Sequence, residues 1–342
     1  IPQFLLASGG STLTIKGDAT STLDFPFSLH SGNLGELWPG AGGNLDLKGR
    51  VQGTPERPTL DLHLGAKRLQ FERNTVDHLT VTGKGIVAAD GPVQVYIEIN
   101  KATLGTFRLD RGHAEVRGTL AEHTLKVEGR NQTFFSAGEL QGKLSDDQWQ
   151  GNLKNIQVNE HDIGNWRQHG LSRFVLSPQQ FDLQQFCVRS DPHASLCFDG
   201  SWSNPSQAWQ FKAGLSGLPL SLLTEKAGIS WPLTGVIHGL VQVQGKQQQI
   251  ASGKFSCETR EMQLTMPASD EAQHQWSWQR NSLHANYASG QLRLELISEL
   301  DAHNALRAEI RQSSPDLIAG LMQRPIQGSV ELNMQDLRLI SL

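Results

Sequence analysis

Two cysteines, Cys187 and Cys197, stand five residues either side of Pro192 in the stretch FDLQQFCVRSDPHASLCFDGSW, Phe181 to Trp202. The chemistry this spacing offers is oxidative cross-linking. Arg189-Ser190-Asp191-Pro192-His193 is a cluster of turn formers between two alternating runs, so the stretch reads as a β-hairpin. In a hairpin centred on Pro192 the two cysteines face each other, within disulfide reach. The second strand would put Ala194, Leu196, Phe198 and Trp202 on one face and Ser195, Cys197, Asp199 and Ser201 on the other. The bond would then staple the strands from the polar side. A paired Cys187–Cys197 implies an oxidising space such as the bacterial periplasm, and two reduced thiols in a cytosolic protein are the alternative. The third cysteine, Cys257, follows Phe255 at strand spacing and reads as a small buried hydrophobe.

Other residues capable of chemistry are not grouped for it. The chain has 12 histidines, scattered, with no HExxH, HxH or Cys-x-x-Cys spacing of metal ligands. Neither a Gly-x-Ser-x-Gly elbow nor a phosphate loop occurs. Asp146-Asp147 before Trp149 is a turn signal rather than an acid/base pair, and His193 is a turn residue. Asn131-Gln132-Thr133 fits a glycosylation sequon by pattern only. No catalytic residue, metal or cofactor is assigned.

The elements that carry these residues are strands. From residue 44 onward the dominant period is two. Leu45, Leu47 and Val51 alternate with charged residues, followed by Leu60, Leu62 and Leu64, then by Val93, Val95, Ile97 and Ile99. The pattern returns at Trp209 and Phe211, at Leu292, Leu294 and Leu296, and at Val330, Leu332 and Met334. One apolar and one wet face per strand is the antiparallel signature. Gly-containing turns such as Ala89-Asp90-Gly91-Pro92 and Ser289-Gly290 imply a tight meander. Short helical inserts are expected over Ser314 to Leu321 and Pro219 to Ala227, each ending in a Pro-x-x-Gly turn, with a weaker copy before Trp38-Pro39-Gly40. They suggest repeat units ending near 39, 232 and 325. No internal boundary stands out, so residues 1–342 read as one continuous unit.

The 342 residues suffice for about two ordinary domains, but hydrophobic content is only 37% and glycines number 34. A net charge of −4 offers no electrostatic footprint for nucleic acid, and no apolar run approaches a membrane span. The chain begins at Ile1 without Met and ends inside an alternating segment, so it reads as a window from a longer protein. Apolar sheet faces need a cover. Strands this long and irregularly spaced disfavour a β-helix, which leaves a long antiparallel sheet curled on itself, with an apolar interior and short helical inserts. If the curl stays open, its strip of Leu, Val, Ile, Phe and Trp would take something equally apolar, at about 25 cal/mol per Å² removed from water.

Several segments in order carry a resemblance: Trp149-Gln-Gly151-Asn-Leu153-Lys-Asn-Ile156-Gln-Val158, Leu176-Ser-Pro178, Cys187 with Ala194-Ser-Leu196-Cys197-Phe198, Leu218-Pro219-Leu220, the strand from Gly235 to Gly245, and Gly328-Ser-Val330-Glu-Leu332. Upstream, Gly53-Thr-Pro55-Glu-Arg-Pro58-Thr-Leu60 fits the same turn and strand. The sequence resembles the TamB family, within the AsmA-like group of bridge-like lipid-transfer proteins. That resemblance implies a taco-shaped β-groove in the periplasmic part of an inner-membrane-anchored protein. It implies phospholipid as cargo, a TamA-like outer-membrane partner, and a role in autotransporter assembly. The lipid-lining residues would be Leu45, Leu47, Leu60, Leu62, Leu64, Val93, Val95, Ile97, Ile99, Leu292, Leu294, Leu296, Val330 and Leu332. Two other readings stay open: an assembly factor pairing with strands of outer-membrane clients, and a secreted β-solenoid adhesin or polysaccharide enzyme.

Overall fold

The structure, a computed structural model, describes all residues except 1–2, 20–21, 89, 120, 162, 191–193, 223–231, 267–273, 302, 314–326 and 334–342. The described chain is almost entirely antiparallel strand, and it groups into two compact units, Ile1–His161 and Asp162–Leu342.

Unit 1 is a meander. Its strands are β1 (Gln3–Ser8), β2 (Ser11–Lys16), the short β3 (Asp18–Ala19), β4 (Leu23–Ser31), β5 (Ala41–Thr54), β6 (Arg57–Phe71), β7 (Asn74–Ile86), β8 (Val93–Leu104), β9 (Phe107–Gly118), β10 (His123–Arg130), β11 (Phe134–Ser145) and β12 (Gln148–Glu160). Successive strands pair antiparallel from β4 to β12, and β2 pairs with both β1 and β4. The turns have the expected chemistry. Asp146 and Asp147 both have positive φ (51° and 58°), the geometry of a two-residue hairpin loop. Before β5 lies a single 3-10 turn, Leu34–Glu36, whose Gly35 N–H is capped by the Asn33 side chain. The weak helical signal ahead of Trp38 is this turn.

Unit 2 comprises β13 (Gly164–Gln168), β14 (Ser172–Leu176), β15 (Gln180–Ser190), β16 (Ser195–Ser203), β17 (Ala208–Pro219), β18 (Leu233–Lys246), β19 (Gln249–Met266), β20 (His274–Ala288), β21 (Gln291–Glu299), β22 (Ala305–Ser313) and β23 (Gln327–Asn333). From β15 to β23 each strand pairs with the next. The other edge of β15 is shared by β13 and β14. Pro219 ends β17, and a helical turn begins at Leu220–Leu222. The remainder of that expected insert, and all of the one expected from Ser314, lie outside the described residues.

Several strands are long enough to need a bend, and the bends carry a signature. Arg68 in β6, Lys101 in β8 and Glu261 in β19 sit in strands with φ between 52° and 53°. That left-handed conformation is rare for residues with a Cβ and typical of bulges. At each one the apolar phase advances by one residue. Positions 60, 62, 64 and 66 give way to Leu69, and positions 93 to 99 give way to Ala102.

Candidate functional site: an apolar face open along unit 1

Partners directly opposite each other in a sheet share a face, so the register defines rows. Leu6, Leu13, Leu29, Leu47, Leu64, Val81, Ile97, Ala114 and Val127 are successive partners. At ~4.8 Å per strand this apolar row runs on the order of 40 Å. Its neighbour passes through Phe4, Ile15, Phe27, Gly49, Leu62, Gly83, Val95, Val116, Leu125 and Leu140. Leu45 and Ile99 lie in the flanking row, and Leu60 and Val93 in the one on the other side. Every unit 1 residue expected to line a groove therefore stands on one face. The other face carries Lys48, His63, Thr82, Tyr96, Glu115 and Lys126 as successive partners.

Burial distinguishes this face from an ordinary core. Leu45, Leu47, Leu60, Leu62, Leu64, Val93, Val95, Ile97 and Ile99 are all half-buried. The fully buried apolar residues described in unit 1 are Ala66 and Ala102, which adjoin the bulges at Arg68 and Lys101. A unit of this size sealed around its own apolar face would bury several Leu, Ile or Val completely. Aromatic rings occupy the space beside glycines on the lining. A Cβ at Gly49 would meet Phe27 Cε1 at 2.8 Å, and one at Gly245 would meet Trp209 Cε2 at 2.6 Å.

Unit 2 has the same two-faced construction. Phe186, Phe198, Ala213, Val241, Phe255, Ala285, Leu294 and Ile310 form one row. Beside it run Leu215, Gly239, Cys257, Leu283, Leu296, Ala308 and Val330. Leu292 is buried and Leu294 half-buried, whereas Leu296, Val330 and Leu332 are exposed. The last two stand on β23, which pairs on one side only among the described residues. Cys187 and Cys197 are opposite each other and disulfide-bonded. Their row continues through Gly214 and Leu240 to Ser256, His284 and Glu295, on the face opposite the Phe186 row. The tip of that hairpin, with Pro192 and His193, lies outside the described residues, as does Met334. Cys257 faces the apolar side, and burial pushes its thiol pKa up.

Charges on the wet faces are arranged in clamps that sequence reading missed. Arg293 and Arg311 are direct partners, and like charges so placed repel; Glu309 bridges them at 2.9 and 2.6 Å. Arg260 and Arg280 repeat the arrangement around Glu258, at 3.1 and 3.3 Å. The hydrogen bond from Arg311 holds the Glu309 carboxyl below its ordinary pKa, and that from Arg260 does the same for Glu258. In unit 1, burial works to raise the Glu115 pKa, but hydrogen bonds from Tyr96 and Arg117 outweigh it and the net direction is down. These pairs join exposed arginines to half-buried glutamates; they fix side chains on the surface and contribute little stability. Among the described residues no group of three or more His, Cys, Asp or Glu side chains could hold a metal ion.

Fold and site thus define a class: an antiparallel β protein whose two units are each built as a two-faced sheet with an apolar face left partly open to solvent. The family described as "TamB, N-terminal domain" matches residues 1–342, and the chain belongs to that family. No solved structure matches the chain. No helix among the described residues is long and apolar enough to cross a membrane.

The strands before residue 44 and β7 escaped sequence analysis, although both had signals. Phe25, Phe27 and Leu29 alternate, as do Leu13 and Ile15. In β7 the apolar positions step from Val76 to Leu79 and Val81 because the chain crosses the bend line opposite Arg68, which hides the period of two.

Proposed function

We propose that this chain is a section of a lipid conduit. The apolar rows form the floor along which phospholipid acyl chains lie, with headgroups toward water, as the lipid passes between the inner and outer membranes. The observation that carries this reading is the row from Leu6 to Val127, apolar at every strand yet half-buried along β5 to β8. A sealed core has no reason to leave such side chains accessible, whereas an acyl chain would regain the missing burial at about 25 cal/mol per Å². In this reading each unit supplies its own stretch of apolar floor, in the periplasmic part of an inner-membrane-anchored protein. A TamA-like outer-membrane protein receives the other end.

A second reading rests on β23, whose Val330 and Leu332 are 73% and 57% exposed. Such an edge can accept a strand from a client outer-membrane protein or autotransporter. One experiment separates the two. A photo-crosslinking residue is placed at Ile97, or at Gln94 on the wet face, in the full-length protein in cells with radiolabelled lipids, and a third goes at Val330. Lipid label at Ile97 and not at Gln94 is the expected result. Label at neither position, with protein adducts at Val330, would replace the conduit by the assembly factor.

A further inference from the structure

A polar belt interrupts the apolar lining of unit 2. Ile237, Thr259, Asn281, Ser298 and Leu306 are successive partners across β18 to β22. By strand parity they belong to the face that carries Cys257, Leu283 and Leu296 one row away. The three polar members are part-buried and hydrogen-bonded in a chain. Ser298 Oγ donates to Asn281 Oδ1 at 2.6 Å, and Asn281 Nδ2 donates to Thr259 Oγ1 at 3.1 Å.

The ends of that chain are poorly matched. The Thr259 hydroxyl points its proton at Met262 Sδ, 4.0 Å away, and Asn281 Nδ2 lies 3.8 Å from the same sulfur. A thioether is a weak acceptor, so two donors on a part-buried surface converge on a partner that any oxygen acceptor would displace. The bend at Glu261 places Met262 there, just past the phase shift, with Trp278 as its cross-strand partner. Apolar lining therefore borders the belt on both sides.

We infer that this belt is a binding site for the ester carbonyl of a lipid lying on the apolar face, an inference that rests on the conduit reading above. Two convergent donors call for an oxygen acceptor. The surroundings decide its charge: the rows on either side hold Cys257, Leu283 and Leu296, or Met262 and Trp278, and no Lys or Arg. A phosphate set among these residues would lack a counter-charge and lose its hydration, which is costly. A neutral carbonyl incurs no such penalty and carries acyl chains that match the flanking lining. Met262, flexible and unbranched, can swing aside to admit it. The belt would then act as a station at which a diacyl lipid pauses during passage, whereas a lipid with ether-linked chains would slide by.

The test uses the full-length protein with a photo-crosslinking residue at Leu283, and separately at Ile97. It is exposed to vesicles containing equal amounts of diester and diether phosphatidylethanolamine of matched chains, each carrying a distinguishable label. The expected result at Leu283 is a diester preference of about five- to tenfold, the value of a lost hydrogen bond, with no preference at Ile97. In Asn281→Leu the ratio at Leu283 should fall to about one while total label at Ile97 is unchanged. The ratio compares two lipids on one protein sample, so a lower yield of folded variant does not by itself change it. Equal diester and diether label at Leu283 in the unsubstituted protein, with lipid captured at Ile97, would overturn the belt and leave the conduit standing. Lipid at neither position would remove the conduit, and the belt with it.

Discussion

Gly142 and Gly151 face each other across β11 and β12, and their row runs back through His123, Gly118, Val93 and Gly85 to Leu60 on the apolar lining. Neither glycine has positive φ, so what they supply is space. A Cβ at Gly151 would stand 2.6 Å from Gly142 Cα and 2.9 Å from the Gln141 carbonyl carbon. Both obstacles are backbone, which cannot swing aside. Gly151→Ala must therefore part the two strands. Overpacking of this kind costs about 1–3 kcal/mol, and each ladder hydrogen bond stretched out of range adds about 1 kcal/mol, so a loss of ~2–4 kcal/mol is expected. The control is Gly65→Ala. Gly65 also lies in a strand, and nothing stands within 4 Å of its Cβ position, so the methyl should be neutral or stabilise by up to ~1 kcal/mol. Hydrogen exchange localises the effect where a global probe would average the two units. Protection of β11 and β12 amides should fall by ~30- to 1,000-fold in Gly151→Ala, as 1.4 kcal/mol is tenfold. Unchanged protection there, or equal damage from Gly65→Ala, would refute the claim that close backbone approach fixes these glycines.

Replacing Cys187 and Cys197 together by Ser removes a cross-link of sequence separation 10, worth ~3 kcal/mol by loop entropy. The urea midpoint should drop by roughly 1 M, while lipid label at Leu294 persists because the bond lies on the opposite face; loss of that label would mean the disulfide shapes the lining. Acid should destabilise the protein. The hydrogen bond from Arg50 lowers the Asp24 pKa, and that from Arg57 lowers the Asp90 pKa. A depressed carboxyl stabilises above its unfolded pKa of about 3.9 and loses that contribution as pH falls through the lower folded value. Urea midpoints should be flat from about pH 7 to 5 and decline below about 4, less steeply in Asp24→Asn, and a midpoint that rises on acidification would contradict the assignment.

How far the sequence carried this fold depends on which physical signal was involved. Facing was legible wherever alternation ran unbroken. Val93, Val95, Ile97 and Ile99 fall in register with Leu45, Leu47, Leu60, Leu62 and Leu64 through β7, a strand that the same reading had passed over. The cysteine pairing was legible because a turn cluster fixed the centre of its hairpin. Bends were not, because Arg68, Lys101 and Glu261 are ordinary charged residues with no preference for positive φ. Only the change of phase around them betrays the bulge. The Glu309 and Glu258 clamps were invisible for another reason. They depend on which strands lie side by side, and a period of two says nothing about pairing partners.

Openness of the apolar face is a further step removed, since alternation reports which side is apolar and not whether anything covers it. Yet an open face makes one demand that a sealed core does not. A one-residue slip of any strand would turn its whole apolar set to water and cut the row from Leu6 to Val127 at that point. In a sealed core, tight packing on both sides resists such a slip; half-buried residues supply less of that resistance. Register must then be pinned from elsewhere, and the structure shows where. The Cys187–Cys197 bond locks β15 to β16 from the wet side, and the Arg50–Asp24 pair, two hydrogen bonds of 2.7 Å, ties β4 to β5. The Gly142–Gly151 pair admits only its own alignment, because no other residue fits so close a backbone approach. None of these devices projects a polar group into the lining. Continuity of the apolar face is thus secured by pairs on the opposite face and by a glycine pair that adds no side chain to the lining, which is the arrangement that the proposed moving apolar ligand requires.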